Sequence, residues 1–361
     1  MKHNLTAVQI GNIKAAIAKV EGGEPFEPVL QRLAGDASDR SYYRAFYIVH
    51  KKSKSMIIMD VLDVENICKS EEVTLYHDPK GELPFINIQR FLTSIGAPVP
   101  EIHYFNREKG LMLLSDLGDR SLLEEAQMDK GAERRHLYQQ AVDELVDLQV
   151  KSEAAREGSD CVAFGQTFSA DLLEWEFNHY MEYGIEVLHH VTIAPDDKAV
   201  MKAEFKRIAQ HITALHKTFV HLDYHSSNLQ VFEGRLYMID FQDALYGPHQ
   251  YDLASLLRDS YINLGGPLRE ELIAYYLDRY AKDKGTGFEA GPFRKNFDLV
   301  AMQRNLKAAG RFVFIDKEKN NPSYLDSIPR TLSYVAGDLK RNPELSKLRE
   351  VLVKYEPRLE G

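Results

Sequence analysis

The chain has 361 residues, 44% of them hydrophobic and 27% charged, ordinary proportions for a soluble globular protein with a real core and length enough for two domains or one large two-lobed unit. A formal net charge of −9 argues against nucleic acid or an anionic membrane surface as the main partner, and an anionic ligand would need local positive charge or a metal ion. The two cysteines, Cys68 and Cys161, have no metal-type spacing and suit a reducing, cytoplasmic setting.

In chain order, residues 1–24 place Ile10, Ile13, Ile17 and Val20 on one helical face and lack the apolar run and cleavage site of a secretory signal, so they read as an extra helix packed on the first lobe. No stretch is long and apolar enough to cross a bilayer. Strand-like runs at 28–33, 42–49 and 55–61 form an antiparallel meander by their short connections, with a basic turn from His50 to Lys54 before the third. The turn Gly35-Asp36-Ala37-Ser38-Asp39-Arg40 suits a phosphate cradle. Gly35 and Ala37 let the backbone approach an anion, Ser38 offers a hydroxyl, and Arg40 or Arg44 supplies positive charge.

Residues 64–84 read as a loop-rich excursion, and 85–95 as a helix with Phe85, Ile88, Phe91, Leu92 and Ile95 at helical spacing, closed by Gly96. An edge segment at 101–105 precedes an apolar strand that runs into Ser115-Asp116-Leu117-Gly118-Asp119. This is where a β-rich lobe (25–116) would hinge onto a mainly helical one (117–361), with backbone groups around Ser115 and Leu117 placed to hydrogen-bond an adenine ring. Helices are expected at 132–150, over the aromatic and acidic stretch 168–188, and at 199–219 as one long element.

The stretch 219–243, FVHLDYHSSNLQVFEGRLYMIDFQD, organises the rest. His221, Asp223 and Asn228 give H-x-D-x-x-x-x-N, and Asp240 follows twelve residues after Asn228. Between them, two strand-like runs flank Glu233-Gly234, a two-residue hairpin turn. Counting back from that turn pairs Asn228 with Ile239, so Asp240 lands beside Asn228 and near Asp223. Two carboxylates and a carboxamide converging suit a hard cation such as Mg²⁺. The spacing matches the phosphoryl-transfer template of a catalytic Asp, an Asn five residues on and a metal-holding Asp. Asp243 lies close by. Past the Gly247-Pro248 break, Tyr251 begins a helix whose Asp252 could brace the catalytic loop through His221 or a backbone amide. Further helices are expected at 267–283 and 290–315 and in the tail from 322. Gln303, Arg304 and Lys307 occupy adjacent turns and could face a polar substrate, with exposed surface as the default reading.

Together these motifs make the chain resemble the aminoglycoside/choline kinase-like phosphotransferases, small-molecule relatives of protein kinases. In that family a His stands two residues past the catalytic Asp, here His225, whereas protein Ser/Thr kinases usually have Lys there and Arg before the Asp, here Leu222. The resemblance implies an α+β, bilobal protein-kinase-like fold with a small antiparallel β lobe and a larger helical lobe. It further implies ATP and Mg²⁺ as cofactors, Asp223 as the catalytic residue, and Asn228 and Asp240 as metal ligands. The runs GDASDRSYYR (35–44), MIIMD (56–60), LLSDLGD (113–119), the stretch 239–262, QRNLKAAGRF (303–312) and YLDSIPR (324–330) look like the cell-wall sugar kinases that phosphorylate N-acetylmuramate and N-acetylglucosamine at C1. That likeness implies a sugar 1-phosphate product feeding cell-wall precursor synthesis.

Two other readings stay open. One is a kinase for an amino alcohol or aminoglycoside, with Glu174, Glu176 and Glu182 as an acidic pocket; the other is a nucleotide-binding regulator without turnover. The chain departs from the kinase pattern at the strand 56–60, which has no phosphate-binding Lys, and at the next helix, which has Asn87 and Gln89 but no Glu to pair with one. Gln242 stands where D-F-G has Gly, which lowers backbone freedom there and makes a flip of that loop less expected.

Overall fold

The structure, a computed structural model, describes residues 5–23, 27–33, 41–60, 81–284 and 290–361. Helix α1 (Ala7–Glu21) begins with a capping box, in which the Thr6 hydroxyl accepts from the Gln9 amide and the Gln9 side chain accepts from the Thr6 amide. It ends at Gly22, whose φ of 66° is the left-handed conformation that glycine adopts without a steric penalty. Of the expected face, Ile13 and Ile17 are buried against Tyr43, Ala45 and Tyr47, while Ile10 and Val20 are half-buried.

Strands β1 (Val29–Arg32), β2 (Ser41–Val49), β3 (Lys52–Asp60), β4 (Ile102–Asn106) and β5 (Leu111–Ser115) form an antiparallel sheet in the order β1-β2-β3-β5-β4. The β2–β3 connection is tighter than the sequence suggested. His50 (φ 48°) and Lys51 (φ 63°) make a two-residue turn, so Lys52 to Lys54 already belong to the strand. The pleat sends Tyr43, Ala45 and Tyr47 toward α1 and leaves Arg44 on the opposite face. The cradle turn with Gly35, Ala37, Ser38 and Arg40, and the excursion as far as residue 80, lie outside the described residues.

Helix α2 (Pro84–Ser94) packs Phe85, Ile88, Phe91 and Leu92 into the core shared with the helical part. Its polar positions are structural. Asn87 accepts from the Val162 amide (2.8 Å) and donates to the Asp160 carbonyl (3.1 Å), and Gln89 donates to the Pro100 carbonyl (3.0 Å). Helices α3 (Leu122–Met128), α4 (Ala132–Ala155) and α5 (Ala170–His179) follow, and α5 continues into a π-helical segment, Tyr180–Val187. The expected helix over 199–219 is instead α6 (Pro195–Thr213) followed by β6 (Lys217–Val220). Thr218, Phe219 and Val220 favour the pleated state, and they pair with β9 (Leu245–Pro248), a strand hidden in the sequence by its Gly-Pro.

Helices α7 (Gln250–Leu257), α8 (Gly266–Lys284), α9 (Ala290–Lys319), α10 (Ile328–Arg341) and α11 (Ser346–Tyr355) complete the chain. Helix α9 meets the π segment closely at Gly310, where a Cβ would lie 2.9 Å from the Tyr180 Cα. Buried Arg258, just past α7, bridges Asp298 of α9 and Asp338 of α10 at 3.2 Å each. Among the described residues no helix is long and apolar enough to cross a membrane.

Candidate active site

The hairpin forms in the expected register. Strands β7 (Leu229–Phe232) and β8 (Arg235–Met238) pair Phe232 with Arg235 and Leu229 with Met238, with Glu233 and Gly234 at φ 49° and 77°. One step further, the Ile239 amide donates to the Asn228 carbonyl at 3.0 Å, which sets Asp240 beside Asn228. Asp240 itself has φ 64°, a conformation an Asp side chain tolerates better than most. Phe241 is fully buried, with its ring 4.7 Å from Phe85 of α2, so this loop is anchored on the β-side core.

The loop carrying Asp223 is held from several sides. Asp252 accepts from the amides of His221 (2.7 Å) and Leu222 (3.1 Å), the bracing role expected of it, and Leu222 sits at φ 80° directly before Asp223. Burial pushes the Asp252 carboxyl up to about 7, against the pull of those two amides. The Tyr224 hydroxyl donates to the Ala141 carbonyl of α4 (2.8 Å). Asp259, which the sequence reading missed, accepts from both the amide (2.9 Å) and the hydroxyl (2.5 Å) of Ser226. Its signal was its place seven residues after Asp252, just past the same helix.

The Asn228 side chain is oriented by its nitrogen. Nδ2 donates to the Asp223 carbonyl at 3.1 Å and lies 3.4 Å from His225 Nε2, so Oδ1 is the end turned away from that carbonyl. His225 Nδ1 meets the Ser227 hydroxyl at 2.9 Å. Gln242, read from sequence only as a loss of backbone freedom, uses Nε2 to bridge Asp240 (2.9 Å) and Asp243 (3.0 Å). The donors available to a cation from Asn228 and Asp240 are thus oxygens, the kind Mg²⁺ takes. Among the described residues no group of three or more His, Cys, Asp or Glu is arranged to hold a metal. Mg²⁺ in nucleotide sites commonly takes only one or two protein ligands and completes its shell with phosphate oxygens and water.

Other expected residues lie elsewhere than the sequence suggested. Arg44 is engaged by the segment that follows β5, with Nε 2.8 Å from Asp116 and Nη1 2.7 Å from Asp119. The Ser115 amide is taken by the Glu101 carbonyl at 3.0 Å. Gln303 and Arg304 are buried rather than surface residues. Gln303 donates to Glu176 (2.5 Å), which also pairs with Lys307 (3.1 Å); Glu176, not Glu174, is therefore the acidic residue that meets Gln303 and Lys307. Tyr261, also missed, sets its ring 5.5 Å from that of His225.

Helix α7 is positioned at its start by His249, whose carbonyl accepts from buried Gln149 of α4 (2.9 Å). Burial pulls the His249 imidazole down to about 4 from its ordinary 6.5. A base with a depressed folded-state pKa contributes stability that is present above its unfolded pKa and lost as pH falls through the folded one. The stability advantage of the wild type over His249→Gln should therefore shrink by about 2 kcal/mol between pH 7 and pH 5, read from denaturant unfolding curves at both pH values.

A β sheet hinged to a helical body, with an Asp-bearing loop and a second Asp delivered by a hairpin, is the arrangement of a kinase-type phosphotransferase. Residues 29–287 match the model of the phosphotransferase enzyme family, and the chain belongs to it. The chain is 28% identical over 328 residues to an N-acetylmuramate/N-acetylglucosamine kinase of Pseudomonas putida, covering 91% of this chain and 88% of that one. It is 28% identical over 327 residues to a protein of the same name from Neisseria meningitidis, covering 89% and 88%. Among solved structures, a choline/ethanolamine kinase family protein from Mesorhizobium loti superposes with a TM-score of 0.58 at 16% identity, covering 94% of this chain and 97% of that one. An ADP-bound aminoglycoside phosphotransferase superposes with a TM-score of 0.52 at 14% identity, covering 91% and 98%. The chain is thus an ATP-using kinase of a hydroxyl-bearing small molecule, with the protein-kinase-like fold that the sequence implied.

Proposed function

We propose that the protein transfers the γ-phosphoryl group of ATP to the anomeric hydroxyl of an amino sugar, N-acetylmuramate or N-acetylglucosamine. The observation that carries the chemistry is the Asn228–Ile239 pairing, which brings Asp240 beside a carboxamide oriented by the Asp223 carbonyl. The acceptor is supported by the names of the relatives that align along most of the chain.

The adenine lies against the segment that follows β5, where the Ser115 carbonyl and the Leu117 amide would serve as its acceptor and donor. Asp223 receives the acceptor hydroxyl, orients it toward the phosphoryl group and takes its proton late in transfer. An anomeric hydroxyl is more acidic than an ordinary alcohol, so a carboxylate suffices as base. Asp240 and the Oδ1 of Asn228 would hold Mg²⁺, with Gln242 fixing the Asp240 carboxylate. When bound, the cation neutralises charge on the phosphate oxygens. Asp252 and Asp259 keep the loop in its reactive shape through the amides of His221, Leu222 and Ser226.

A cationic acceptor is disfavoured by Glu176, whose carboxylate is already matched by Lys307. ATP turnover measured against N-acetylmuramate, N-acetylglucosamine, choline, ethanolamine and an aminoglycoside tests the reading. Turnover with the amino sugars alone is expected; turnover with choline or the aminoglycoside alone would overturn it.

A further inference from the structure

Two buried arginines meet carboxylates, and buried Arg134 is met by the Ala126 and Asp129 carbonyls, whereas Arg304, near the catalytic loop, keeps a nitrogen that nothing meets among the described residues. Arg44 pairs with Asp116 and Asp119, and Arg258 with Asp298 and Asp338. Arg304 of α9 is equally secluded, at 8% exposure, yet it forms no ion pair among the described residues. Its Nε donates to the Ser255 hydroxyl at 2.6 Å, and its Nη1 is buried without a hydrogen-bond partner among the described residues. The Arg304 charge acts on the buried Asp252 carboxyl without hydrogen-bonding it, and a buried guanidinium nitrogen left unmet in this way marks a place for an anionic acceptor.

The position of that place is set by α7. Ser255 lies one turn beyond Asp252, which holds the two amides preceding Asp223. Next to the loop stands an aromatic wall. The Tyr261 ring is 5.5 Å from His225, 6.3 Å from Phe312 and 6.5 Å from Tyr324, and Phe312 and Tyr324 stack at 5.6 Å with planes 8° apart. Aromatic faces with a few convergent polar groups are what a small-ligand site offers. The nearby Glu176 carboxylate is already taken by Lys307 and Gln303.

We propose that Arg304 is a specificity-determining residue of the acceptor site, and that its free guanidinium nitrogen receives a carboxylate carried by the sugar while the Tyr261, Phe312 and Tyr324 rings face the pyranose. The proposal rests on the amino-sugar reading above and deepens it. Of the two sugars, N-acetylmuramate carries such a carboxylate on its lactyl ether and N-acetylglucosamine does not. The acceptor class that uses the whole site is therefore an acidic amino sugar, and the neutral one binds without the ion pair. The competing source of negative charge is the transferring phosphoryl group, which both sugars would share.

The test is steady-state kinetics of the full chain with ATP and each sugar, for the wild type, Arg304→Gln and Arg304→Lys. Arg304→Gln should lower kcat/KM for N-acetylmuramate by about 30- to 100-fold, mostly through KM, and change that for N-acetylglucosamine by less than about threefold; Arg304→Lys should restore part of the loss. Equal losses for both sugars would place Arg304 on the phosphoryl group and overturn the proposal, as would no change for either. Calorimetric titration of N-acetylmuramate into the ADP-loaded protein separates this subsite from the amino-sugar kinase reading. Binding that depends on Arg304 supports the subsite even if no sugar is turned over, and binding of the same affinity in Arg304→Gln overturns it. Unfolding midpoints of the variants within a few degrees of wild type keep a folding defect from imitating the effect.

Discussion

Asp223→Asn should lower kcat by about 10³-fold while leaving ATP affinity within about twofold of the wild type, measured as acceptor-dependent ATP turnover alongside nucleotide titration. The substitution keeps the shape of the side chain and removes its ability to take a proton. The loop itself is held by other groups, since Asp252 binds the amides on one side of Asp223 and Asp259 anchors Ser226 on the other. The Asp223 contact to Asn228 is made by its backbone carbonyl, which the substitution does not touch. A variant with full turnover would remove Asp223 from the chemistry, and one with lost nucleotide binding would make its role structural.

Asp240→Ala should cost about 10²- to 10³-fold in kcat and raise the Mg²⁺ concentration needed for half-maximal rate. The hairpin delivers this carboxylate through a backbone pair that survives the substitution, and Phe241 remains packed on Phe85. Gln242 then loses one of the two carboxylates it bridges and keeps Asp243. Titration of the rate with Mg²⁺ reads the effect directly. An unchanged metal dependence with reduced rate would assign Asp240 a positioning role instead.

The sequence made some parts of this site easy to read and hid others for physical reasons. Counting residues back from Glu233-Gly234 was enough to pair Asn228 with Ile239, because a two-residue turn fixes register without help from distant contacts. Strands β6 and β9 were not legible, since each has only four residues and their pairing joins segments far apart in the chain, with Pro248 suggesting a break. Arg44 was read, with Arg40 as the alternative, as a phosphate ligand, because its partner Asp116 lies more than seventy residues on, where no local pattern connects them. Glu176 was named together with Glu174 and Glu182, and helical periodicity could have singled it out. It falls on the stripe of Leu173, Phe177 and Tyr180, three residues after the first of them, whereas Glu174 lies off it. Gln303 and Arg304 were given to the surface on residue type alone, although α9 is buried on several sides along that stretch.

Phosphorylation of an amino sugar at its anomeric hydroxyl by the Asp223 site can be read by phosphorus and carbon NMR of the product formed from ATP and N-acetylglucosamine, with its methyl glycoside as the blocked control. Phosphorus coupling to C1 and C2 of a sugar 1-phosphate is expected, with no phosphorylated product from the glycoside. Phosphate on any other hydroxyl, or turnover of the glycoside, would contradict it.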